Sequence, residues 1–418
     1  MGSELDSDGL SSRSVWRSEW RAGGALLAAS IICATASVIP LALVGVLLKP
    51  LEEMFGWSRA SVSSAVLLIS FGTLGMAPIV GPLIDRIGPR KVALRGLIAV
   101  AGGTACIGLA GPSVISWYVA WMIFAVTQSF ANAVVWSNAI VSRFDKARGL
   151  ALAVLLSGQA LCFGAAPLAA LWIMERFGWR WIFFAAAALT LLVAWPLAWR
   201  FFFAARDLAA RDEPTVKGAA VQPVSQAARS FRSPIFWRIA VSFAIAASTV
   251  SALVVHLQPI LIDSGVSSLR AASAMLILAP ASALGRLGSG MLVDRFPAHW
   301  IASLSLILPA TSYGILLALP ASPEAAYACA FMIGMAAGAE ADLLAYIVSR
   351  YFPREDYARV YSVLLGMYAV GYGASPVLAG AIFDAAATYA PVFLLLLTAA
   401  IFGAVIILSL GRPPARVP

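Results

Sequence analysis

Arg286 is a cation set inside an apolar run. It stands in GRLGSGMLVDRF, eight residues before Asp294. On a helix that is about 12 Å in from the charged end of the run. Asp342 stands eight residues before Arg350 in another run, AEADLLAYIVSRYF, at the same depth. A charge in the middle of a lipid-embedded helix costs about 2.5–3.5 kcal/mol on insertion scales, so it must face a cavity or a partner. Two chemistries are open to Arg286. Its planar fork can grip a carboxylate through two parallel hydrogen bonds, which a lysine cannot do. Or it can form a fixed ion pair with Asp342. Glu340 is two residues from Asp342, about 200° around a helix, so the two face different ways. Either carboxyl group could carry a transported proton or serve the packing, since a buried charge is costly. His256 and Gln258, in VVHLQPIL, are a third polar group in an apolar run. A histidine there can pass a proton, donate to a bound molecule, or simply pack.

Softer signals accompany these. Gln128, Asn132 and Trp136 follow one another at i, i+4 spacing, with Asn138 nearby, and would give one helix a polar-aromatic face. Tyr361, Tyr368 and Tyr372, at i, i+7 and i+11, would do the same for another. Each row is either a cavity wall or a helix-to-helix contact. Cys33, Cys106, Cys162 and Cys329 lie in apolar stretches with no CxxC pair; they read as small core residues, and no metal site or cofactor is expected. The absence of GxSxG, HExxH and Walker A patterns from the sequence argues against an enzyme.

The elements that must position these residues follow from composition. Of 418 residues, 61% are hydrophobic and 12% charged, against about 45–50% and about 25% in a soluble domain. Apolar runs near 21–48, 58–83, 92–112, 116–141, 149–174 and 180–203 precede a polar stretch, 204–234. Six more follow near 235–262, 270–293, 300–320, 325–348, 358–384 and 390–411. Each is long enough to cross a bilayer as a helix. The expected fold is an all-α membrane protein of twelve transmembrane helices in two parallel six-helix repeats. The divisions are a tail at 1–20, bundles at 21–203 and 235–411, a linker at 204–234 and a tail at 412–418. With the N-terminus inside, 23 of the 29 Lys and Arg fall on the inner side and five on the outer, leaving Arg286 within a span. That bias places both termini and the linker in the cytoplasm. It also accounts for the net charge of +9 without nucleic acid. The short loops and tails favour a bacterial inner membrane, and a monomer is expected.

The halves repeat. Asp85-Arg86 and Asp294-Arg295 are 209 residues apart, as are GAAP at 164–167 and GASP at 373–376. Ser142-Arg143 and Ser349-Arg350 are 207 apart. Parallel repeats are a transporter plan, with a site between the halves near mid-membrane. The segment GPLIDRIGPRK (81–91) resembles the signature loop of the major facilitator superfamily, G-x-L-x-D-R-x-G-x-R-[RK]. The resemblance spans the whole chain, since the second copy and the six-plus-six count also fit. It implies a cytoplasmic gate, carried here by Asp85, Arg86, Arg143, Asp294, Arg295 and Arg350.

FGWSRASVSSAV (55–66), the stretch 147–181, GRLGSGMLVDRF (285–296) and AEADLLAYIVSRYF (339–352) look like the monocarboxylate transporter and oxalate–formate antiporter branch. There an arginine in the eighth span is implied to hold the substrate carboxylate, and Arg286 matches it. The first run lacks the lysine of the eukaryotic members before Lys49, and Ser282 stands where they carry an aspartate. Tyr361, Tyr368 and Tyr372 occupy the run in which oxalate exchangers place a second cation. One buried cation suits a monoanion better than a dianion. The expectation is a secondary carrier of a small organic anion, a monocarboxylate such as lactate or pyruvate, coupled to protons as a symporter. Arg286, Asn132, Trp136, Tyr361, Tyr368, Tyr372 and Gln258 would contact substrate; Glu340, Asp342 or His256 would take the proton. The rivals are an exporter of drugs or apolar metabolites and a membrane sensor that signals through the linker.

Overall fold

The structure, a computed structural model, describes residues 4–145, 147–204, 207, 227–319, 322–353 and 355–411. Twelve helices among them are long and apolar enough to cross a membrane. In the first half they are span 1 (Glu19–Phe55), span 2 (Arg59–Ile87), span 3 (Pro89–Gly108), span 4 (Val114–Val141), span 5 (Arg148–Phe177) and span 6 (Trp179–Phe201). In the second they are span 7 (Pro234–Asp263), span 8 (Ser268–Val293), span 9 (Ala298–Ala318), span 10 (Glu324–Tyr351), span 11 (Arg359–Ala386) and span 12 (Ala390–Leu408). The expected six-plus-six count is borne out. Most of the linker, and residues 412–418, lie outside the described residues; a short helix, Ala227–Arg232, precedes span 7. The polar residues from Glu4 onward are helical rather than irregular. Their Ser and Gly content disfavours a free helix, but they extend one already nucleated in span 1.

Local chemistry sets the ends. Ser58, Ser233 and Ser322 accept hydrogen bonds from the backbone N–H of Ser61, Ile235 and Ala325 at 3.1–3.2 Å, starting spans 2, 7 and 10. Gly88 turns span 2 into span 3 at φ +86°, a conformation open to glycine. Arg90 then turns back within its own half. It donates to the carbonyls of Trp199 and Phe202 at 2.6 Å and of Ala198 at 3.3 Å. That satisfies the orphan carbonyls ending span 6 and places a cation at the negative end of its dipole.

Spans 1, 4 and 8 are interrupted helices. Span 4 breaks into a 3-10 turn at Ser129–Ala131, and Asn132 caps a new helix through its side-chain oxygen, 3.0 Å from the Val134 N–H. Asn competes for backbone groups in this way, which interrupts a helix interior. Span 8 breaks after Met275 and resumes at Leu278; Pro280 has no N–H for the Leu276 carbonyl. Span 1 breaks at Leu43, three residues past Pro40. A proline inside an apolar run is expected to break its helix; Pro40 is followed by such a break, whereas Pro259 lies inside one unbroken helix.

One apolar core fills the first half and two adjoining clusters fill the second. Spans 8 and 10 form the most extensive helix pair. A Cβ on Gly285 would run into the Met335 carbonyl oxygen, and one on Gly338 into that of Ser282. Small residues thus let the two backbones meet, which brings the side chains of these spans face to face. The halves touch through spans 2 and 11, spans 5 and 8, and the end of span 1 against span 7. Below, "proximal" is the end where span 1 starts and span 12 finishes; "distal" is the other.

Candidate functional site

Span 8 carries Arg286 and span 10 carries Asp342, and their close packing makes them meet. Arg286 Nη1 donates to Oδ1 and Oδ2 of Asp342 at 3.0 and 2.9 Å. The arginine side chain is 16% exposed and the aspartate 45%, so the pair is open on its carboxylate side. Both oxygens draw on one nitrogen, and among the described residues Nη2 and Nε have no acceptor.

Glu340 faces the other way, as its spacing requires. It is wholly buried. Tyr368 of span 11 donates to its Oε2 at 3.0 Å, and Oε1 has no partner among the described residues. Tyr368 stacks on Tyr372, centroids 6.5 Å apart.

These tyrosines line a hollow between the halves, of about 190 Å³, halfway along the bundle. Span 5 contributes Leu156, Gln159, Ala160 and Phe163; spans 7, 8 and 10 contribute Val250, Val254, Leu278, Ser282, Gly334 and Ala337. Arg286 follows Ser282 by one turn. Arg286 therefore stands just proximal to the hollow's lining, where Asp342 holds it.

Other candidates lie elsewhere. Trp136 is fully buried in the core of the first half; its indole donates to the Ala131 carbonyl at 2.8 Å and packs edge-on to Phe202. Asn132 is spent on its cap. The continuous face expected from Gln128, Asn132 and Trp136 is divided by the break in span 4. Tyr361 stacks on Tyr357 below the hollow. Of the proximal residues, Arg143 donates to the Ala22 carbonyl of its own half at 2.9 Å. Arg350 rests 6.0 Å from the Tyr346 ring of its own helix. Asp85, Arg86, Asp294 and Arg295 are exposed.

His256 and Gln258 are buried, and His256 belongs to a second polar cluster at the distal end. Arg59, at the start of span 2, is 3% exposed. It donates to Asp263 Oδ2 at 2.6 Å, to Glu52 at 2.9 Å and to the Tyr389 hydroxyl at 3.0 Å, with its guanidinium 3.8 Å above the Phe383 ring. Lys49 holds the other oxygen of Asp263 at 2.9 Å. Asp384, ending span 11, accepts the backbone N–H groups of Arg59 and Ala60 at 3.0 Å each, an acid on a helix N-terminus of the opposite half. His256 Nε2 lies 2.9 Å from the Pro376 carbonyl and 3.2 Å from Ser63 Oγ across the halves. A carbonyl only accepts, so Nε2 carries the hydrogen and Nδ1 accepts from the Tyr389 hydroxyl at 2.8 Å. The sequence reading missed this cluster and the span 5 wall of the hollow. The signal for the cluster was present: opposite charges, Arg59 and Lys49 against Asp263 and Asp384, end different spans on one side.

Two bundles of six spans that pack against each other and leave a hollow between them at mid-depth define a membrane transport protein. The family model of the Major Facilitator Superfamily matches residues 26–296 and 280–418. The chain belongs to that superfamily and is a transporter, not an enzyme. It is 30% identical over 252 residues to monocarboxylate transporter 13 of Bos taurus, a match covering 60% of this chain and 56% of that protein. Its fold is similar to crystal structures of a bacterial homologue of the human lysosomal transporter Spinster. The unoccupied inward-facing form is 20% identical, with a TM-score of 0.65, covering 92% of this chain and 93% of that one. The occupied inward-facing form is 18% identical, also at 0.65, covering 93% of each.

Proposed function

We propose that the protein is a proton-coupled secondary carrier of a small organic monoanion, a monocarboxylate, working by alternating access. The observation that carries this reading is Arg286: a cation one turn from the central hollow, held by Asp342 through one nitrogen and, among the described residues, without an acceptor at the other two. The monocarboxylate relative agrees with it. Asp342 orients the guanidinium, and substrate binds its free edge. Glu340 carries the proton, because a wholly buried carboxyl group with no cation partner among the described residues is costly unless neutral, and Tyr368 links it to the hollow.

On this reading the distal end faces outward and is closed by the Arg59–Asp263–Asp384 cluster. Asp85, Arg86, Arg143, Asp294, Arg295 and Arg350 form the cytoplasmic gate. Both termini are cytoplasmic, and the protein acts as a monomer in a bacterial inner membrane.

Glu340→Gln tests the coupling. The amide keeps an oxygen for Tyr368 but holds no transferable proton. In liposomes, an inward acid gradient should no longer drive accumulation of the acid, while exchange of labelled for unlabelled acid persists. Gradient-driven accumulation at the wild-type level in this variant would exclude Glu340 as the proton carrier.

A further inference from the structure

The hollow is larger and more apolar than a three-carbon acid requires. It encloses about 190 Å³; a cavity of about 150 Å³ takes a benzene molecule. Leu156 and Phe163 wall one side and Val250, Val254 and Leu278 the other. Its polar groups, Gln159, Ser282, Tyr368 and Tyr372, are all neutral. The two tyrosine rings stack at 24°, a flat surface of the kind a third ring packs on. Arg286 sits one turn beyond Ser282, about 6 Å along the helix, at the proximal edge of the hollow. The arrangement is a single cation at one end of a space of ring size. Lactate would satisfy the arginine and leave the apolar wall against water. A second carboxylate would be set against that wall without a cation, which is costly.

We propose that the substrate is an aryl monocarboxylate: one carboxylate joined directly, or through one carbon, to a single benzene-sized ring. Its carboxylate takes the free Nη2 and Nε of Arg286, and its ring fills the hollow beside Tyr368 and Tyr372. This rests on the monoanion reading above and narrows it.

The test is calorimetric titration of the purified full-length protein with benzoate, phenylacetate, lactate, pyruvate and neutral benzyl alcohol. Direct binding avoids the passive leak of weak acids through lipid. Benzoate or phenylacetate should bind at least about 10-fold more tightly than lactate, as burial of a ring predicts. Arg286→Ala should abolish that binding. Ala160→Phe, which fills the hollow from span 5, should lose the aryl acids and keep lactate; Val254→Phe fills it from the opposite half if the first variant fails to fold. Lactate or pyruvate binding as tightly as the aryl acids would overturn the proposal and leave the monoanion reading standing. Benzyl alcohol binding as well as benzoate, with no effect of Arg286→Ala, would overturn both. So would a folded protein that binds none of the acids.

Discussion

Arg286→Ala is expected to lower the affinity for the transported acid by about 100-fold or more while the protein still folds. A hydrogen bond to a charged group contributes about 1.5–3 kcal/mol, and two are lost. Asp342, left without its partner, is 45% exposed, so the variant escapes the full penalty of a buried unpaired charge. Arg286→Lys should recover only part of the loss, because an ammonium group cannot present two parallel donors. The pair could instead be a fixed brace between spans 8 and 10, and the double variant Arg286→Ala/Asp342→Ala separates the two roles. If the arginine serves the substrate, removing its partner restores nothing, and binding by titration stays absent. Recovery of binding in the double variant would make the pair a brace.

The second large effect is at the distal end. Arg59→Ala removes an arginine that bridges Asp263, Glu52 and Tyr389. Asp263 is 27% exposed and keeps Lys49, so the loss sits near that of hydrogen bonds to a charged group, about 1.5–3 kcal/mol. That shifts the balance between distal-closed and distal-open forms by roughly 10- to 100-fold. Asp384→Asn, which weakens only the cap on span 2, should shift it less, by about 0.5–2 kcal/mol. A cysteine at Leu67, which packs under Gly373 of span 11, reports the opening. With the native cysteines replaced, its labelling by a membrane-impermeant thiol reagent from the distal side should rise at least about 10-fold in Arg59→Ala. Unchanged labelling would mean that the cluster does not hold the halves together.

How far the sequence reached depends on whether an interaction is periodic or depends on which helices are neighbours. Twelve spans could be read from apolar runs, because lipid enforces length and composition on each segment separately. The meeting of Arg286 and Asp342 was also readable: both stand eight residues before a charge at the same end of their runs. The face built from Gln128, Asn132 and Trp136 failed because periodicity assumes an unbroken helix, and Asn132 ended one by capping the next. Arg59, Lys49, Asp263 and Asp384 looked like ordinary loop charges. Their partners lie 204–325 residues away in the chain, and only the packing of span 2 on span 11 and of span 1 on span 7 pairs them. The span 5 wall of the hollow was hidden for a related reason. Leu156, Ala160 and Phe163 are ordinary apolar members of their run, and nothing local tells a cavity wall from a lipid- or core-facing side.

The most direct measurement is uptake of labelled monocarboxylates, aryl and short-chain, into liposomes holding the purified protein, with and without an inward acid gradient. Protein-free liposomes supply the passive baseline. Accumulation of an acid above that baseline, driven by the gradient and lost in Arg286→Ala, is the predicted result. Uptake of neutral apolar compounds by folded protein that moves no acid, and is indifferent to Arg286→Ala, would contradict the account and make the protein an exporter of apolar molecules.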